Sequence, residues 1–189
     1  MRSPFSFIVR PVSGRRYSNI KKISGLDFIT SVSLEDHKSS NRFAEVISTP
    51  IDYIGEIQPK DILLVHHNVF KFYYDMKGVE KSGRSFFRDD LFFIDFDQFF
   101  LYHNHKEWRC HSKYCFVKPV QAKKSYLSKT GKEEPLIGTI KYINKELENM
   151  GVKVGDQISF TPESEYEFYV EGEKLYRMFT NNITMVLND

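Results

Sequence analysis

The chain has 189 residues, 41% hydrophobic and 15% aromatic with 17 phenylalanines, enough apolar mass for compact cores and too much for a disordered or fibrous class. Its 27 basic and 25 acidic residues leave a formal net charge of +2 and interleave along the chain, unlike the concentrated basic footprint of a nucleic-acid binder. No apolar run approaches the ~18 residues of a membrane span. The opening Met1-Arg2-Ser3-Pro4-Phe5 lacks the apolar stretch of a secretory signal. Two cysteines, Cys110 and Cys115, make no disulfide framework, so a reducing cytoplasm is the expected compartment.

Strand signals dominate in chain order. Residues 5–12 are rich in Val, Ile and Phe, with Pro11 near the end, where an edge strand tolerates it. Short strands bounded by turn residues follow at 43–48, 61–66, 91–96 and 99–102. A polar join covers 103–113. Beyond it the pattern predicts strands at 114–120, 136–143, 157–161, 166–170, 174–179 and 183–187, with a polar loop at 125–134. Glu171-Gly172-Glu173 reads as a hairpin turn in which Gly172 supplies positive φ. Helix signal is confined to 144–150, capped by Asn144 and stopped by Gly151. Many short strands at this spacing predict an all-β chain built as small sandwiches or barrels.

The chain also repeats itself. Phe7-Ile8-Val9-Arg10-Pro11-Val12 returns as Cys115-Phe116-Val117-Lys118-Pro119-Val120, and Ile57-Gln58-Pro59-Lys60-Asp61-Ile62 returns as Val152-Lys153-Val154-Gly155-Asp156-Gln157. The run from Leu91 to Tyr102 returns from Leu175 to Val186. Three paired segments in one order indicate an internal duplication, with a first domain at 1–108 and a second at 109–189. The offsets fall from 108 at Val9/Val117 to 95 at Asp61/Asp156 and 84 at Leu91/Leu175. Copy one therefore carries two surplus segments, one within 13–42 and one within 69–88.

Copy two resembles the co-chaperonin family, the GroES-like ten-kilodalton chaperonins. The features run in the family's order: the Val117-Lys118-Pro119-Val120 strand, Ile137-Gly138-Thr139-Ile140, then Val152-Lys153-Val154-Gly155-Asp156-Gln157-Ile158-Ser159-Phe160. Gly172-Glu173-Lys174-Leu175-Tyr176-Arg177-Met178 and Asn181-Asn182-Ile183-Thr184-Met185-Val186 close the set. Copy one resembles the family more loosely over 5–102, with Lys60-Asp61 in place of Gly-Asp. Such a tandem looks like phage or plastid members, and Val65-His66-His67-Asn68-Val69-Phe70 is similar to co-chaperonin-like proteins of tailed phages. The connections at 49–56 and 144–150 are too short for the family's roof hairpin, as in phage-type members.

The resemblance implies two tandem GroES-like β-barrels in a homo-oligomeric ring, heptameric in the family, whose adjacent subunits pair terminal strands. It implies a partner, a GroEL-type chaperonin, and a non-enzymatic, cofactor-free role in ATP-dependent folding in the cytoplasm, the host's if the chain is phage-encoded. In the family, the loop after the first strand orders on the chaperonin and carries an apolar tripeptide after Gly. The matching residues here are Gly25, Leu26, Phe28 and Ile29, within a loop at about 13–42, with Asp27 where the family has an aliphatic residue. Copy two lacks the long loop and would brace the ring. The alternative is a phage structural or assembly protein that reuses the duplicated barrel without binding chaperonin.

Other constellations carry less. His103, His105, Cys110, His111 and Cys115 fall within thirteen residues, but their spacing is not that of a structural zinc site, and a solvated connection is the plainer reading. His66 and His67, as strand neighbours, are expected on opposite faces. Phe86-Phe87 and the 91–102 stripe read as core or subunit contact rather than a base-stacking platform. Asp95 and Asp97 read as exposed charges without a partnered cleft. There is no GxGxxG, so the dehydrogenases that share the GroES-like fold are not indicated.

Overall fold

The computed structural model describes residues 1–17, 20–23, 26–29, 40–122 and 133–187. The chain divides into two compact units, Met1–Glu107 and Trp108–Asp189. The first contains β1 (Phe7–Pro11), β2 (Ile20–Ile23), β3 (Leu26–Ile29), β4 (Phe43–Ser48), β5 (Ile62–Val65), β6 (Phe72–Tyr74), β7 (Glu80–Ser82), β8 (Phe86–Arg88), β9 (Leu91–Ile94) and β10 (Phe99–His103). The second contains β11 (Trp108–Cys110), β12 (Tyr114–Gln121), β13 (Glu133–Tyr142), a short helix α1 (Lys145–Asn149), β14 (Gln157–Phe160), β15 (Tyr166–Val170), β16 (Glu173–Phe179) and β17 (Ile183–Val186). The expected all-β character holds, and the pairings are antiparallel.

The two units repeat one plan. The main sheet of the first runs β10-β5-β4-β1-β9-β8, and that of the second runs β17-β14-β13-β12-β16-β15. Registers match as well. Val9 opposes Val46 and Phe92, while Val117 opposes Ile140 and Tyr176. A bulge falls between Ile8 and Val9 in one copy and between Phe116 and Val117 in the other. Even the turn before the third strand is shared. The Asp61 carboxylate accepts from the Gln58 amide at 2.8 Å, and the Asp156 carboxylate accepts from the Lys153 amide at 2.8 Å. Such bulges bend a strand and raise its twist, so each sheet curves rather than lying flat.

Burial follows from the alternation. In the first unit Phe7 and Val9 of β1, Ala44 and Val46 of β4, and Phe92 and Ile94 of β9 face one core, which Phe99 also enters. In the second, Cys115, Val117, Ile140, Ile158 and Met178 take the same positions. Each fully buried Phe or Ile contributes about 1.5–3 kcal/mol by area removed from water. The helix α1 starts at Asn144, whose buried side-chain oxygen accepts from the Leu147 amide at 2.9 Å, and it drops Leu147 into the second core.

Two details differ from the reading above. The sheets are open, since among the described residues β8 does not pair with β10, nor β15 with β17. Closure would need the end strands to meet along their length, and β8 is only three residues long. Moreover, β1 is a central strand, not an edge. Pro11 is tolerated there because pairing with β9 stops at Val9, so its missing N–H falls beyond that ladder.

Candidate functional site

The features that distinguish copy one from copy two meet at one place, the root of the 13–42 segment. After β1, Ser13 (φ 64°) and Gly14 (φ 66°) take left-handed conformations that turn the chain out of the sheet. Asn41, 6% exposed, then fastens the outgoing strand to the returning one. Its side-chain amide donates to the carbonyls of Val12 at 2.9 Å and Arg15 at 2.7 Å. Its side-chain oxygen accepts from the Phe43 amide at 2.9 Å, and its own amide donates to the Arg16 carbonyl at 2.9 Å. Tyr17 and Ser40 form a further antiparallel bridge. Both amide hydrogens and the oxygen of one buried side chain are thereby satisfied, which fixes the two ends side by side.

Beyond that root, β2 and β3 form a two-stranded sheet of their own. Ile20 opposes Ile29, Lys21 opposes Phe28, Lys22 opposes Asp27 and Ile23 opposes Leu26. Among the described residues, no strand of the main sheet pairs with either. Of the four expected docking residues, Leu26, Phe28 and Ile29 lie on β3, and Gly25 falls outside the described residues. The family resemblance implies that this stretch is a loop that orders on the chaperonin and carries an apolar tip. The sequence did carry the strand signal, in Ile20, Ile23 and Ile29 disposed around Ser24-Gly25.

The second surplus segment is the hairpin β6–β7, which the pattern reading missed. Its base is closed by the Gly83 amide donating to the Lys71 carbonyl at 2.9 Å. At its tip the Asp75 carboxylate accepts from the amides of Lys77 (2.9 Å) and Val79 (3.0 Å), and Gly78 sits at φ 74°. Tyr73, Tyr74, Met76 and Val79 are exposed, so no apolar alternation announces the strands. This hairpin meets the loop root. The Tyr17 ring packs edge-on against Phe72, with centroids 5.1 Å apart and planes at 83°. The Arg16 guanidinium lies 5.0 Å from the Phe86 ring and 4.9 Å from the Phe92 ring, and its Nη1 donates to the Ser82 hydroxyl at 3.0 Å. Burial pushes the Tyr17 hydroxyl up from its ordinary value, in keeping with a ring set into packing.

His66 and His67 stack at 4.1 Å, contrary to the expected opposite faces, because both lie past the end of β5, where strand alternation no longer applies. Cys110 and Cys115 are buried free thiols; burial pushes Cys115 up to about 12 and Cys110 well above its usual value, the unreactive protonated form. His105 is exposed, with Nε2 3.5 Å from the Asp61 carboxylate. Among the described residues no three His, Cys, Asp or Glu side chains gather as a metal site would require. Asp95 accepts from the Ser6 hydroxyl at 2.7 Å, and the Gln98 side chain accepts from the Asp95 amide at 2.9 Å, which makes Asp95 part of a turn. Of the aromatic stripe, Phe92, Phe99 and Phe100 are core, while Phe87 and Phe96 remain partly exposed.

The chain matches no protein-family model and no curated protein sequence. Among the described residues, no helix is long and apolar enough to cross a membrane.

Proposed function

We propose that this chain is a co-chaperonin-like subunit, two tandem GroES-like modules assembled in a homo-oligomeric ring, that caps a GroEL-type chaperonin through the 13–42 segment. The observation that carries the reading is the separation of β2–β3 from the main sheet. A strand pair that, among the described residues, is hydrogen-bonded only to itself leaves edges that a partner's groove can take up, and here it bears Leu26, Phe28 and Ile29. Supporting it are the family-like order of motifs in copy two and the shared strand plan of the two units. The energetics suit a reversible cap. Burying a Phe and an Ile contributes roughly 1.5–3 kcal/mol each. One such contact is weak once ordering is counted, and a ring of them binds firmly through avidity. The partner's nucleotide cycle would then time release, and this chain needs no catalytic group of its own.

The test is retention of the intact protein on a GroEL-type ring, with and without ATP, for the wild type, Phe28→Asp and Ile29→Asp. Nucleotide-dependent capture of the wild type, reduced at least about tenfold by either substitution, is expected from the area terms. A wild-type chain that assembles into rings yet is never captured would point instead to an assembly protein.

A further inference from the structure

Copy one carries two surplus segments, within 13–42 and 69–88, and the fold brings them into contact. We propose that the Phe72–Ser82 hairpin is a positioning element: it clamps the root of the 13–42 segment and sets where that segment leaves the sheet. The partner-binding consequence of this clamp rests on the capping function above; the clamp itself does not.

Two independent contacts make the join. On one side Tyr17, bridged to Ser40, packs edge-on against Phe72 of β6 at 5.1 Å. On the other, Arg16 is held over Phe86 and Phe92 while its Nη1 bonds Ser82 of β7 at 3.0 Å. The two root residues thus grip both strands of the hairpin, Tyr17 on β6 and Arg16 on β7. Asn41 carries the constraint to the returning strand, because its amide bonds the Arg16 carbonyl. Each partner needs the other. A pair of three-residue strands is marginal alone in water, and the root is a pair of chain ends without a hydrophobic face of its own. Coupling of this kind is reciprocal: whatever orders the hairpin orders the root by the same factor. Among the described residues, copy two has no counterpart of the β6–β7 hairpin.

Amide hydrogen exchange on the intact protein tests it, read at the Asn41 amide, with the Val46 amide of the main sheet as internal reference. Tyr17→Ala and Phe72→Ala should each speed exchange at Asn41 about three- to tenfold, the worth of one aromatic pair, and leave Val46 unchanged. The double substitution should add little to either single one. Tyr17→Phe, which keeps the ring but loses the hydroxyl's hydrogen bond with the Phe72 backbone, should exchange more slowly than Tyr17→Ala. Gly83→Ala acts on the hairpin without touching the root: a Cβ there would come within 2.9 Å of the Lys71 carbonyl oxygen, so the hairpin base must open and Asn41 exchange must rise. An Asn41 rate unmoved by Phe72→Ala and Gly83→Ala, or a Tyr17→Phe protein as fast as Tyr17→Ala, overturns the clamp. A wild-type chain that no chaperonin ring captures, but whose Asn41 amide responds as described, overturns the capping function and leaves the clamp standing.

Discussion

At the scale of single residues, the instructive pair is Lys60 and Gly155. They hold the same position in the two copies, each donating its amide to the strand before it: Lys60 to the Val46 carbonyl at 2.7 Å, Gly155 to the Ile140 carbonyl at 2.9 Å. The turn demands positive φ in both, 81° at Lys60 and 96° at Gly155. A side chain in the left-handed region costs about 1–2 kcal/mol, partly offset by the smaller entropy that a non-glycine residue loses on folding. Lys60→Gly should therefore stabilise the first unit by about 0.5–1 kcal/mol, and Gly155→Ala should destabilise the second by a similar amount. A Cβ at Gly155 would meet nothing within 4 Å, so the effect there is conformational alone. Thermal unfolding of both variants checks the pair, and equal signs at the two sites would contradict the argument. The sequence showed this Lys-for-Gly exchange but not its strain, since only the backbone reveals that the turn geometry stayed the same.

At the scale of elements, strands of the second sheet are cross-linked on its surface at Glu173. This first residue of β16 pairs with Lys118 of β12 and, at 2.8 Å, with Lys141 of β13. Hydrogen bonds from Lys118 and then Lys141 hold the Glu173 carboxyl down at about 2, against an ordinary 4.5. A depressed carboxylate contributes stability that is fully present above the unfolded value and is lost as pH falls through the folded one. The contribution should accordingly disappear between about pH 4.5 and pH 2. Because the carboxylate is partly exposed, the effect is small and shrinks with added salt. The wild type should lose more melting temperature over that interval than Glu173→Gln, and parallel curves would show that the cross-link contributes nothing. Elements also mark where pattern reading stops. Strands β4 and β15 were legible to the residue because buried and exposed positions alternate along them or turns bound them tightly. Hairpin β6–β7 was not, since Tyr73 and Tyr74 are exposed and its order comes from Tyr17 and Arg16, far away in sequence.

For the whole molecule, each unit has its own hydrophobic core, so damage within one unit should be read out by a probe in that unit. The single tryptophan, Trp108, belongs to the second unit and donates through Nε1 to Glu171 at 3.1 Å. Phe116 is fully buried in the same unit and meets Phe168 edge-on at 5.8 Å. Phe116→Ala should cost about 3–5 kcal/mol and move the Trp108 fluorescence transition to lower temperature. A fluorescence transition that does not move would mean that Trp108 does not report the packing of Phe116 against Phe168.

What the sequence determined by itself was the repeated plan: paired phrases at falling offsets, strand after strand, because core positions constrain residue type directly and the same positions recur in both copies. The location of the surplus in copy one followed from the same arithmetic. What the tertiary structure alone decided was how that surplus is used. Contacts such as Tyr17 on Phe72 and Arg16 on Ser82 join residues more than fifty positions apart and leave no local periodicity, so only the folded backbone could bring two insertions together at one root.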